Sequence, residues 1–142
     1  MLQVTEVGTV FVPVSDQERA LAFYVGTLGW EQTGDFEYGG GHRWVEVAPK
    51  GTNRTIALVP PSEGSSPGGD VVRCSLTTTD IEADLAFLCE HGVDVDGVVS
   101  RQGTSRPGLV DRSVTVPDTF PPQLCFRDPD GNAYLLVEPP PA

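Results

Sequence analysis

Residues Val14 to Trp30, VSDQERALAFYVGTLGW, can be laid over Thr78 to Val93, TTDIEADLAFLCEHGV, with Asp16 on Asp80, Glu18 on Glu82, Leu21 on Leu85, Ala22 on Ala86 and Phe23 on Phe87. The shift is 64 residues (80 − 16) at each of these pairs. A chain that repeats itself at such a period is built from two copies of one supersecondary unit. Both copies place an Asp where an N-cap accepts from unpaired helix N–H groups, acids in the first turn, and a Gly (Gly29, Gly92) where the helix stops. Ala20, Phe23, Tyr24 and Leu28 recur at helical spacing, as do Ile81, Leu85, Leu88 and Cys89. Each helix therefore has one face to bury.

Alternating or β-branched segments flank both helices. GTVFVPV (Gly8 to Val14) and VVRCSL (Val71 to Leu76) precede them; WEQTGDF, HRWVEVA and RTIALV follow the first, and VDVDGVV, QLCFRD and AYLLVE the second. The expected order is strand, helix, three strands, performed twice. This gives an α+β chain with a first module over 4–61, a Pro-, Gly- and Ser-rich linker over 62–70 and a second module over 71–138. The second module carries a long Pro-rich insertion, Ser100 to Pro122, of the kind that often shapes or covers a ligand site.

With 142 residues the chain suits one domain of ordinary size, made of two halves. Its net charge of −11 repels phosphate backbones and anionic lipid, so neither nucleic acid nor membrane is an expected partner. No apolar run approaches the ~20 residues of a membrane span, and MLQVTEVG lacks the features of a secretion signal. Cys74, Cys89 and Cys125 are odd in number and set among apolar residues, which predicts reduced, buried thiols and a cytoplasmic protein.

PVSDQERALAFYVGTLGW, the Gly-rich hairpin GGGHRWVEVAP, TTDIEADLAFL and finally FRDPDGNAYLLVE together resemble the vicinal-oxygen-chelate superfamily: glyoxalase I, extradiol dioxygenases, and the bleomycin- and fosfomycin-resistance proteins. The resemblance spans about Val4 to Glu138. It implies two tandem βαβββ modules whose mixed sheets form a cup holding the ligand (the glyoxalase/bleomycin-resistance fold), often in a homodimer. In the family's metal enzymes one ligand lies on each module's first strand, seven residues before the helix-opening Asp. The other lies on each last strand, in the second module seven residues after the first Asp of DPDG.

Carried onto this chain, those places are Thr9 (16 − 7), Arg73 (80 − 7), Leu135 (128 + 7) and Ala57, the last set by laying IALVP on YLLVE. Two aliphatic side chains, a hydroxyl and a permanent cation make a poor donor set for a divalent ion. No metal and no cofactor is therefore expected. Elsewhere, His91 at the end of the second helix suits the helix dipole, and His42 belongs to a hairpin tip. Glu46 alternates with Trp44, facing either the cup or, as is the default for a carboxylate, water.

The expected function is metal-independent binding of a small molecule, an aromatic or cationic compound sequestered as by the bleomycin-resistance proteins. The inward register of the lost ligand places selects Thr9, Phe11, Trp44, Glu46, Ala57, Arg73, Ser75 and Leu135, with Val59 and Val137, as lining. Arg73 either grips a ligand oxygen or pairs with Glu46. The alternative is a glyoxalase- or dioxygenase-like enzyme with a rearranged metal site, or a metal-free one using Glu46 as base.

Overall fold

A computed structural model describes residues 1–61, 65–96 and 121–140. The chain divides into two compact units, Met1–Gly69 and Asp70–Ala142. In the first, β1 (Thr9–Pro13) leads to α1 (Gln17–Leu21), whose last turns widen into a π-helix (Ala22–Thr27), then to β2 (Glu31–Glu37), β3 (Arg43–Ala48) and β4 (Thr55–Val59). The second runs β5 (Val72–Thr77), α2 (Ile81–Glu90), β6 (Asp94–Val95), β7 (Gln123–Arg127) and β8 (Ala133–Val137). Each unit holds one four-stranded mixed sheet, ordered β1-β4-β3-β2 and β5-β8-β7-β6, with β1–β4 and β5–β8 as the parallel pairs. The expected α+β architecture of two tandem βαβββ modules is what the chain adopts.

The repeated caps behave as their residue types require. Asp16 accepts from the Arg19 amide at 3.1 Å and Asp80 from the Ala83 amide at 3.0 Å, while Gly29 (φ 75) and Gly92 (φ 69) take the left-handed conformation that ends each helix. The first helix departs from the plain α-helix expected of it. Val25, Gly26 and Thr27 are weak helix formers, and there the bonding slips to Leu28 N–H on the Phe23 carbonyl at 2.9 Å. Phe23 and the fully buried Tyr24 both stay in the core, with the Tyr24 ring 5.4 Å from that of Trp30.

One face of each sheet packs on its helix. Val12, Val45, Val47 and Leu58 form the first such face, and Leu124, Phe126, Tyr134 and Leu136 the second, each side chain contributing about 1.5–3 kcal/mol by leaving water. Gln17 pins the start of α1 to the first sheet by donating to the carbonyls of Arg43 (2.7 Å) and Leu58 (2.9 Å). Arg43 links Glu18 to Asp35 and holds the Asp35 carboxyl below its ordinary value.

Of the expected strand VDVDGVV, Asp94–Val95 is a strand, while residues 97–99 and most of the Ser100 to Pro122 insertion lie outside the described residues. Cys89, expected on the buried face of α2, is exposed. Cys74 is half-buried, and burial pushes its thiol up to about 11, while Cys125 is buried. At mildly alkaline pH, Ellman's reagent is therefore expected to titrate one thiol, Cys89, quickly in the native protein and all three after denaturation. Rapid reaction of a second thiol in a Cys89→Ser variant would contradict this.

Candidate functional site

Residues directly opposite one another on paired strands share a sheet face. In the first unit, Phe11 lies opposite Ala57, Ala57 opposite Glu46, Glu46 opposite Gly34, and Trp44 opposite Phe36. The face turned away from the helix thus carries Thr9, Phe11, Trp44, Glu46 and Ala57, five of the eight residues selected from the sequence. Phe36 joins them from β2. Phe11 and Phe36 are each 56% exposed, although both are large aromatics on a regular sheet.

The rings form one cluster. The Phe11 ring meets Trp44 edge-on at 5.5 Å between centroids, and the Phe36 ring lies nearly parallel to Trp44 at 6.3 Å. Tyr38 extends the cluster toward the hairpin tip, 6.1 Å from Trp44 and stacked on His42 at 5.7 Å. The tip bends through Gly39, Gly40 and Gly41, all at positive φ, where a side chain would be strained.

Glu46 stands on this aromatic face and not on the helix side. The Trp44 indole donates from Nε1 to its Oε1 at 2.7 Å, which fixes the ring as well as satisfying the indole N–H. Gly34 lies beside this side chain on the paired strand: a side-chain carbon there would be in ordinary van der Waals contact with Glu46, 3.5 Å from Cβ and 3.8 Å from Oε2.

The other three expected residues belong to the second unit. Ser75 is exposed and lies opposite Leu135, which is 7% exposed. Arg73 falls at a register shift between Val72 and Cys74, so simple alternation does not hold there. Its Nε donates to Asn132 Oδ1 at 2.9 Å. Asn132 in turn belongs to the DPDGN turn, where Asp128 Oδ1 accepts from the amides of Asp130 and Asn132, each at 2.9 Å, and Oδ2 accepts from the Asn132 side chain at 2.8 Å. Arg73 thus braces the turn that joins β7 to β8, a role the sequence did not suggest. Val59 is buried on the Ala57 side of β4, and Val137 is half-buried opposite Gln123.

The places where a metal would sit offer little to one. The Thr9 hydroxyl is engaged with that of Thr55 at 2.9 Å, Ala57 and Leu135 have no donor atom, and Arg73 is cationic. Among the described residues no three His, Cys, Asp or Glu side chains gather in a group that could hold an ion. His42 is stacked at the hairpin tip, and the exposed His91 ring bonds the Phe87 carbonyl at 2.9 Å at the end of α2.

Residues 6–135 match the family model of the Glyoxalase/Bleomycin resistance protein/Dioxygenase superfamily. Among solved structures, an antibiotic binding protein, TnmS3 from Streptomyces sp. CB03234, is 36% identical with a TM-score of 0.74, the match covering 99% of this chain and 100% of that one. A superfamily member from Sphaerobacter thermophilus DSM 20745 is 34% identical, with a TM-score of 0.78 and coverage of 97% and 100%. A glyoxalase/bleomycin resistance protein from Streptomyces sp. CB03234 is 38% identical, with a TM-score of 0.64 and coverage of 92% and 98%. The repeated module, the two mixed sheets and these matches agree: the chain belongs to the glyoxalase/bleomycin resistance protein/dioxygenase superfamily.

Proposed function

We propose that this protein binds a planar aromatic small molecule against the face built by Phe11, Trp44 and Phe36, without a metal ion. The observation that carries this reading is the exposure of two phenyl rings on either side of a tryptophan held by its own hydrogen bond. Leaving such rings in water forgoes burial worth about 25 cal/mol per Å², which a flat ligand would recover. The antibiotic-binding description of the 36%-identical TnmS3 supports the same class of role, binding of a small compound. The donor-poor set Thr9, Ala57, Arg73 and Leu135 supports metal independence.

Equilibrium dialysis against a panel of planar aromatic antibiotics tests this. At least one compound is expected to bind saturably with Kd on the order of micromolar, unchanged by EDTA and recovered unmodified. No binding below about millimolar, or turnover that stops when metal is removed, would sink the reading.

The edges of the first sheet are β1 and β2, and those of the second β5 and β6. Exposed strand edges are ordinarily paired or covered, which supports a homodimer. Light scattering at micromolar concentration is expected to give about twice the 15.2 kDa chain mass; a monomer mass would refute the assembly. Three free cysteines suit a reducing compartment such as the cytoplasm, and among the described residues no helix is long and apolar enough to cross a membrane.

A further inference from the structure

Glu46 is out of keeping with the rings around it. It is half-buried on an aromatic face, and among the described residues of the first unit its side chain's one hydrogen-bond partner is the neutral Trp44 indole, on Oε1. Oε2 lies beside Gly34, 3.8 Å from where a side-chain carbon of that residue would stand. Within the first unit, no Lys, Arg or His among the described residues forms an ion pair with this carboxylate. If the carboxylate served only to hold the indole, a neutral amide would do the same without the cost of dehydrating a charge.

A flat ligand laid across Phe11, Trp44 and Phe36 would strip water from Glu46. A neutral ligand makes that burial unfavourable, because a carboxylate losing water needs a compensating donor. A protonated amine reverses the balance: it gives Oε2 a charge-assisted hydrogen bond and sits beside electron-rich ring faces. The net charge of −11 adds a long-range field that draws cations toward the protein.

Resting on the aromatic-face reading above, we propose that the ligand is an aromatic amine whose protonated nitrogen is held by Glu46. The carboxylate acts as a selectivity device, admitting cationic aromatics and rejecting neutral ones of the same shape.

The test uses the full-length protein and two probes of one shape near neutral pH: 9-aminoacridine, which is protonated, and acridine, which is mainly neutral. Calorimetric titration is expected to show 9-aminoacridine binding ~10–100-fold more tightly, the usual worth of a hydrogen bond to a charged partner. In Glu46→Gln the amide oxygen still accepts from the Trp44 indole, so the ring stays placed while the charge is lost. That variant is expected to bring the two affinities within about threefold of each other, mostly by weakening 9-aminoacridine. Thermal melting and Trp emission like the parent's establish that it is folded. Raised salt should weaken 9-aminoacridine alone.

Equal affinities in the parent protein, or a preference that survives Glu46→Gln, would overturn the amine assignment while leaving the aromatic face intact. Failure of both probes to bind at millimolar concentration would overturn the face and the amine assignment together.

Discussion

Trp44→Ala is expected to weaken binding of a planar aromatic ligand by ~30-fold or more. A tryptophan at the centre of a binding face is commonly worth at least about 2 kcal/mol, and Trp44 meets the rings of Phe11, Phe36 and Tyr38. Its removal also deprives Glu46 Oε1 of its donor and leaves Phe11 and Phe36 with no ring between them. Because Trp44 is only half-buried, the fold should survive. Phe87 is a fitting control: it is 38% exposed, stacks only on His91 at 4.0 Å among the ring contacts, and lies on α2. Phe87→Ala is expected to leave affinity unchanged. If titration showed equal losses for the two variants, the ligand would have to bind elsewhere.

Arg127→Ala is expected to lower the unfolding free energy by about 3 kcal/mol. The Arg127 side chain is 9% exposed, and it donates from Nε to Asp70 and from Nη1 to Asp96, both at 2.8 Å. Burial works against its charge, but the hydrogen bonds to Asp70 and Asp96 outweigh this and push its pKa up. Truncation would take the Nη1 hydrogen bond away from the Asp96 carboxylate, which is itself 12% exposed. The Asp70 share is smaller, since that side chain is half exposed. Asp70 also holds φ 56, unusual for a residue with a side chain, so its ion pair opposes local strain. Urea unfolding should show the loss, and an Asp96→Asn, Arg127→Met double variant should recover part of it. An unchanged midpoint for Arg127→Ala would show that the triad contributes nothing net.

Much of this architecture was legible in the residues. The 64-residue repeat, the Asp caps and the stop glycines are short-range signals, each acting within a turn of its own position. Strand alternation placed Thr9, Phe11, Trp44, Glu46 and Ala57 on one face, because alternation is a property of the strand itself. Phe36 was missed, yet a signal for it exists. A hairpin centred on Gly40 puts residue n opposite 80 − n, hence Phe36 opposite Trp44 and Gly34 opposite Glu46.

The sequence by itself determined the two-module fold, the helix ends, and the absence of usual metal donors at the family's ligand places. Only the tertiary structure decided what Arg73 and Glu46 do. Arg73 sits where one strand carries an extra residue, and its partner Asn132 is 59 positions away, so alternation could not orient it. Glu46 could have faced either side of a half-buried strand. Its orientation became definite once register set it opposite Gly34 and brought the Trp44 indole N–H within 2.7 Å of its carboxylate. Spacing along a chain names which residues share a face, but contacts between strands decide which charges and donors meet there.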